Sequence, residues 1–385
     1  MSKLLIVATT SLFFTEFLLP YARHFRSLGW QVDGAAAGAT ECEQSRAVFD
    51  RLFEVGFSRN AKDPRKLWQG MRELRKLVEQ EDYDIVHVHT PVAAFATRLA
   101  LRSWQALGRG RLVYTAHGFH FHPHGHPLKN ALFYGLEWLA ARYTDYLVVM
   151  NESDRRAAHR LVGPGRTVYM PGIGVDLDFY SRRRVTAEQV AQLRGYLGLG
   201  PEQPYFLMIA EFIPRKRHRD ALLAFARLSD TPAHLVLAGQ GVLLQEMKAL
   251  AEKLGLAPRV HFLGFRNDIP TLIQGSLATL LPSEQEGLPR AVMESFCLGV
   301  PVIGADVRGV RELLQGGAGL LHRVRDVDAL ARAMRWVLDN PQPSQEMGRL
   351  GSERVKAYDL RNLLGLHQEL YARALGQKLM VPNSA

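Results

Sequence analysis

The chain has 385 residues, 47% hydrophobic and 22% charged, with two cysteines and a formal net charge of +10. That balance excludes a disordered chain and leaves room for two α/β domains of ordinary size. Cys42 and Cys297 lie too far apart for a CxxC site and are too few for a disulfide-stapled scaffold, which points to a reducing cytoplasm.

Strand-like apolar runs alternate with helical patterns from the first residues onward, the signature of βα units and parallel sheets. Met1–Phe14 reads as a first strand entering a loop rather than as a cleavable leader. Leu4–Ala8, Val32–Ala36, Ile85–Val88, Leu112–Thr115 and Tyr146–Val149 are the expected strands of a first sheet. Between them Phe17–Leu28, Pro64–Gln80, Ala93–Leu107 and Leu128–Tyr143 carry apolar positions at helical spacing. A turn or linker is expected at Met170-Pro-Gly-Ile-Gly-Val-Asp176, where a proline and two glycines interrupt the pattern.

The second series of strands is Tyr205–Ile209, His234–Ala238, Val260–Leu263, Ala278–Leu281, Val300–Gly304 and Gly319–Leu321. Its helices are Ala221–Leu228, Leu244–Leu254, Ile269–Gln274, Pro289–Leu298, Val307–Leu314 and Val327–Leu338, and Leu360–Leu375 is helical again. The expected domains are therefore 1–172, completed by a C-terminal helix in 360–385, and 173–359. No run approaches the roughly 20 apolar residues that span a bilayer. A cytoplasmic protein follows, either soluble or peripheral on the inner face of the cell membrane.

The positive charge calls for an anionic partner, which it does not identify. Residues 1–172 hold 22 Lys/Arg against 16 Asp/Glu, so +6 of the excess lies in the first half. Helix 64–80 sets Arg65, Lys66, Arg72, Arg75 and Lys76 beside Leu67, Trp68, Met71, Leu74 and Leu77. Two readings of this helix stand: a basic amphipathic surface for acidic lipid, or an ordinary helix with its apolar stripe on the sheet. No zinc-finger spacing or aromatic RNA-binding signature is present, which argues against nucleic acid.

Residues 278–314 combine Ser283, the turn Glu286-Gly-Leu-Pro289, Glu294 eight positions after Glu286, and Gly299-Val-Pro301-Val-Ile ahead of Gly309 and Glu312. Two glutamates at that spacing would alone mark only a solvated face. In this string they strongly resemble the donor segment of the family 4 retaining glycosyltransferases, which have the GT-B fold of two facing Rossmann-like domains. A loop ending at a helix start leaves backbone N–H groups free for an anion such as a diphosphate, and Gly287 and Leu288 would supply them. The resemblance assigns Glu286 to the donor sugar and Glu294 to the ribose hydroxyls.

Upstream, Ile209-Ala-Glu-Phe-Ile-Pro-Arg-Lys-Arg-His218 resembles the family's phosphate-neutralising loop. Lys216 falls on its lysine, and Glu211 stands where many members have arginine, so Arg215 or Arg217 becomes the substitute cation. Leu237-Ala-Gly-Gln-Gly241 matches the next loop, where Gly239 and Gly241 would permit close approach to a ligand. The backbone near Phe265 and Arg266 is expected to meet the nucleobase. In the first half, Asp84-Ile-Val-His-Val-His-Thr90 and Tyr114-Thr-Ala-His-Gly-Phe-His-Phe look like bacterial enzymes of capsule, exopolysaccharide or lipid-linked glycan synthesis. His117 matches the family histidine near the reacting sugar. Thr9-Thr-Ser-Leu-Phe-Phe-Thr15 replaces the paired glycines of many members.

The run His117, His120, His122, His124 and His126 lies over an apparent loop rather than on a helix and lacks cysteine partners, and the resemblance implies no metal and no other cofactor. What it implies is a hexosyl- or N-acetylhexosaminyltransferase that uses a UDP-linked sugar and a polyprenyl-diphosphate-linked or soluble glycan acceptor. A nucleotide-sugar epimerase or hydrolase of the same fold, and a non-catalytic nucleotide-sugar-binding protein, are the alternatives.

Overall fold

The computed structural model describes residues 1–57, 64–121, 125–200 and 203–377. They form two compact units, Met1–Ile173 with Leu363–Ala385, and Gly174–Asn362. Each is built on its own parallel sheet.

The first unit contains β1 (Lys3–Thr10), β2 (Gln31–Ala37), β3 (Arg51–Glu54), β4 (Ile85–His89), β5 (Arg111–Ala116), β6 (Tyr146–Val149) and β7 (Thr167–Tyr169). They lie in the order β3-β2-β1-β4-β5-β6-β7, with every pairing parallel. The second unit contains β8 (Tyr205–Ile209), β9 (His234–Ala238), β10 (Val260–Gly264), β11 (Ala278–Leu281), β12 (Val302–Ala305) and β13 (Gly319–His322). Their order is β10-β9-β8-β11-β12-β13, again all parallel. Helices cover such sheets on both faces, which is why β4, β9 and β11 are buried at every residue.

In both sheets the strand order reverses beside the first strand of the unit. Open α/β sheets bind ligands at that switch point, outside the carboxyl ends of the strands. The relevant loops are therefore those after β1 and β4 in the first unit and after β8 and β11 in the second.

The structure differs from the sequence expectation in particular elements. Strands β3 and β7 were not anticipated, since β3 is charged at both ends and β7 has three residues. Helices Glu152–Val162, Ala187–Tyr196 and Pro341–Val355 are additional; the first and last of these are rich in polar side chains. The expected loop Thr9–Thr15 turns helical at Ser11, and a π-helical turn over Phe14–Leu18 leads into helix Leu19–Ser27. Pro20 explains the wide turn, because proline supplies no N–H and crowds the turn before it. The expected helix Ala93–Leu107 is divided into Pro91–Ala100 and Arg102–Ala106.

Helix Pro64–Glu81 spends its apolar stripe on the core. Leu74 and Val78 are fully buried, and Leu67, Met71 and Leu77 pack against the same cluster. Of the apolar residues named for a lipid surface, Trp68 alone is exposed, at 60%, while Arg65, Lys66, Arg72, Arg75 and Lys76 face solvent. Among the described residues no helix is long and apolar enough to cross a membrane.

Candidate functional site

In the second unit the loops after β8 and β11 are stitched together. The Glu284 amide donates to the Arg215 carbonyl at 2.8 Å, and Arg215 Nη1 donates to the Gln285 carbonyl at 3.3 Å. Between these bonds Lys216 Nζ meets Glu286 Oε1 at 2.6 Å, both side chains largely buried. A short 3-10 turn, Pro214–Lys216, sets the lysine in place.

Arg217 follows at φ +60°, an uncommon left-handed conformation for a long side chain. Its guanidinium grips Asp220 through two 2.8 Å bonds and reaches Glu284 at 3.4 Å. Arg215 is the freer of the two candidate cations: its side chain is 48% exposed and stands 3.9 Å from Glu286. Glu211 is exposed beside them.

The Glu286–Pro289 turn leads into helix Arg290–Cys297, whose N-cap Pro289 provides no side-chain cap. No side chain therefore closes the helix start, where the positive end of the helix dipole stands. Among the described residues no hydrogen bond engages the amides of Gly287 or Leu288. Gly309, at φ +74°, lets the chain pass so near that a Cβ there would stand 1.9 Å from the Gly287 carbonyl oxygen. Arg308 Nε donates to the Glu286 carbonyl at 3.4 Å, so the loop is held from this side as well.

Glu294 is buried and is met at 2.7 Å by Nε of Arg290, one turn earlier. Arg290 also lies over the Tyr180 ring and donates to its hydroxyl at 3.4 Å. Burial first, and the Glu294 charge second, hold the Tyr180 phenol protonated far above its ordinary range. Cys297, pushed up to about 12 chiefly by burial, is an inert thiol. Ser283 is fully buried and its Oγ has no hydrogen-bond partner. An unsatisfied hydroxyl at this position is costly unless something completes it.

Two expectations acquire a different physical reason. At Gly239 a Cβ would stand 2.0 Å from the Ala210 carbonyl oxygen, and at Gly241 2.6 Å from that of Phe212. These glycines admit the neighbouring β8 loop, which donates from the Phe212 amide to the Gln240 carbonyl at 2.7 Å. The close approach is thus made by the chain itself. The Arg266 side chain forks onto Asp268 at 2.6 and 2.8 Å and lies over Tyr196, leaving backbone rather than guanidinium for a base. Phe265 beside it is 63% exposed.

In the first unit His117 follows β5 and is partly exposed. Its Nε2 lies 3.0 Å from Nδ1 of His89 at the end of β4, and Phe13 packs against its ring at 4.9 Å. The Phe119 amide donates to Asp154 at 3.3 Å, and Asn151 both caps helix Glu152–Val162 and bonds Asp154. Thr90 closes β4 at φ +67°, its hydroxyl 2.6 Å from that of Thr9 on the adjoining β1. Burial pushes the His117 imidazole down to about 3 and holds His89 well below the ordinary range. Both rings are neutral at pH 7.

Of the remaining histidines in the run, His120 and His126 are exposed, and His122 and His124 lie outside the described residues. Among the described residues no group of three or more His, Cys, Asp or Glu is placed to hold a metal ion. Sequence reasoning missed Glu284, Arg290, Tyr180 and His89. Arg290 could have been found as the i, i+4 partner of Glu294, and His89 as the strand neighbour of His87 two positions away.

Lys216→Met leaves Glu286 buried without its cation and is expected to cost about 1–3 kcal/mol of stability in the free protein. Adding Glu286→Gln should recover part of that loss. Strictly additive losses in a denaturant double-mutant cycle would show that the two side chains are not coupled.

Comparison with known proteins identifies the family. The family model described as Glycosyl transferases group 1 matches residues 191–354, and that of Glycosyltransferase Family 4 matches residues 17–179. EpsD of Bacillus subtilis (strain 168), named provisionally as a glycosyltransferase, is 36% identical over 355 residues, 91% of each chain. An Escherichia coli enzyme named UDP-Gal:alpha-D-GlcNAc-diphosphoundecaprenol alpha-1,3-galactosyltransferase is 28% identical over 279 residues, 69% of each chain. Among solved structures, HepE of Anabaena in complex with UDP and glucose covers 97% of this chain and 100% of its own, with a TM-score of 0.80 at 20% identity. That likeness concerns the fold. With these matches over both units, the chain belongs to glycosyltransferase family 4, has the GT-B fold and is a sugar-transferring enzyme.

Proposed function

We propose that this transferase moves a hexosyl or N-acetylhexosaminyl group from a UDP-sugar to a hydroxyl of a polyprenyl-diphosphate-linked polysaccharide precursor, retaining the anomeric configuration and using no metal. The observation that carries the reading is the Lys216–Glu286 contact at the mouth of helix Arg290–Cys297, with buried Glu294 on that helix. A cation, open amides and two carboxylates together suit a nucleoside diphosphate joined to a sugar. The names of the Escherichia coli relative and the HepE complex, both of which include a uridine nucleotide, support UDP. The first of these names also supports a diphosphoprenol-linked acceptor.

In this reading the diphosphate rests on the Gly287 and Leu288 amides and draws Lys216 away from Glu286. Glu286 is then released to accept from donor-sugar hydroxyls. Arg215, the freer cation, replaces the charge missing at Glu211, while Arg217 holds the loop. Glu294 accepts from the ribose hydroxyls, the backbone at Phe265–Arg266 meets the base, and Ser283 completes its hydrogen bond on the ligand. His117, in the first unit, contacts the sugar.

The bond from the anomeric carbon to the leaving phosphate oxygen breaks as the acceptor oxygen bonds to the same face, and the acceptor proton passes to that phosphate oxygen. Protein groups already in place stabilise the charge that builds on the diphosphate. Lys216 contributes most as that charge develops.

Contact with an acidic bilayer surface accounts for the excess positive charge of the first half. The outward Arg65, Lys66, Arg72, Arg75 and Lys76 support it, together with Leu128, Leu132 and Trp138, exposed on helix Pro127–Ala141. Each basic residue near such a surface contributes about 1 kcal/mol.

Calorimetry with UDP tests the donor assignment: Glu294→Ala is expected to weaken binding about tenfold or more, and unchanged affinity removes the ribose role. Sedimentation with vesicles tests the surface. Binding to anionic vesicles that fades with salt is expected, and no binding at low salt, or equal binding after the five basic residues become Gln, contradicts it.

A further inference from the structure

The first unit carries an inference that rests on the proposed place of His117 at the reacting sugar. We propose that His89 is a positioning residue: it engages His117 through Nε2 and thereby presents Nδ1 of His117 as the hydrogen-bond acceptor for a substrate hydroxyl.

The row of rings starts on β4. His87 and His89 stand two residues apart on a strand buried on both faces, and they are 1% and 4% exposed. The β4–β5 register places His89 opposite Thr115, two residues before His117. The rings of His87 and His89 pack at 4.2 Å, and His87 is fixed at both nitrogens, with the Tyr371 hydroxyl 2.5 Å from Nδ1 and the Thr115 hydroxyl 2.7 Å from Nε2. Tyr371 belongs to the C-terminal helix Leu360–Ala374, which also brings His367 within 5.8 Å of the His87 ring. The end of the chain therefore anchors the row that ends on His117.

The contact between His89 Nδ1 and His117 Nε2, at 3.0 Å, is the length of a hydrogen bond and requires one proton between two nitrogens. Burial keeps both imidazoles neutral at pH 7. Each neutral ring has one N–H, so the contact admits two arrangements: both rings protonated at Nε2, or both at Nδ1. A neutral histidine side chain ordinarily favours the Nε2–H form. The row therefore settles with His117 donating from Nε2 to His89, its Nδ1 carrying the lone pair. Among the described residues no hydrogen bond engages that Nδ1. Phe13 closes one flank of the ring. The nitrogen a histidine offers to a ligand is set by the bond its other nitrogen makes, and here His89 makes that bond.

Nitrogen-15 NMR of the full chain labelled at histidine tests this directly, with the His117 signals identified by their loss in His117→Gln. The Nε2–H form is expected in the unaltered protein. Asparagine places an acceptor oxygen where His89 has Nδ1, so His89→Asn should keep that form as the single one, whereas in His89→Leu, with no acceptor there, His117 should relax to a mixture of its two neutral tautomers. UDP affinity, a property of the other unit, should stay within about twofold in both variants. Sugar transfer is followed with UDP-N-acetylglucosamine, UDP-glucose and UDP-galactose offered with diphosphoundecaprenol-linked N-acetylglucosamine. There kcat should fall about tenfold or more in His89→Leu and recover in His89→Asn. An Nδ1–H form of His117 in the unaltered protein, or a tautomer population in His89→Leu equal to that of the unaltered protein, overturns the proposal. Full transfer by His117→Gln instead overturns the sugar contact of His117, and the NMR result still decides the role of His89.

Discussion

The 2.6 Å contact between Lys216 and Glu286 joins two loops that the chain separates by seventy residues. Most of the second unit's site is arranged around it. The Glu284 amide and the Arg215 guanidinium bond across the loops on either side, Arg217 and Glu284 close the back, and Gly309 lets a third segment press on Gly287. Parallel strands β8 and β11 make this possible, because they are neighbours at the switch point and release both loops from the same end of the sheet. A largely buried ion pair contributes little net stability but costs much when broken. Such a pair suits an exchange of partners: in the proposed reading the diphosphate takes Lys216 while the sugar hydroxyls take Glu286.

The first unit uses the same strand arrangement for opposite electrostatics. In place of a charge pair it lines up His117, His89 and His87, all held neutral by burial, and pins the row with Thr115 and Tyr371. A neutral imidazole can orient a hydroxyl without attracting a second anion. One unit concentrates charge near a helix start, and the other presents uncharged hydrogen-bonding groups.

Much of this was legible in the sequence. Fully apolar strands between amphipathic helices implied two parallel sheets, and the string from Ser283 to Glu312 singled out the helix start and its carboxylates. What stayed hidden depended on partners distant in sequence. Nothing near Lys216 says that Glu286 meets it, and nothing near His87 points to Tyr371, 284 residues away. At Gly239 and Gly241 a close chain crossing demands the same residue that a close ligand would, so the sequence alone does not show the crossing. The basic helix 64–81 left two readings open, a lipid surface and an ordinary helix on the sheet, because its pattern alone does not say what covers the apolar stripe; Leu74 and Val78 are buried in the core of the first unit. Strands β3 and β7 escaped notice because short edge strands need little hydrophobicity.

In the proposed function the second unit holds the nucleotide at the loops joined by Lys216 and Glu286. Amide hydrogen exchange with and without UDP measures this most directly. UDP is expected to slow exchange in 211–217 and 283–294, most strongly at Gly287 and Leu288. Protection confined to other segments, or none at saturating UDP, would contradict it.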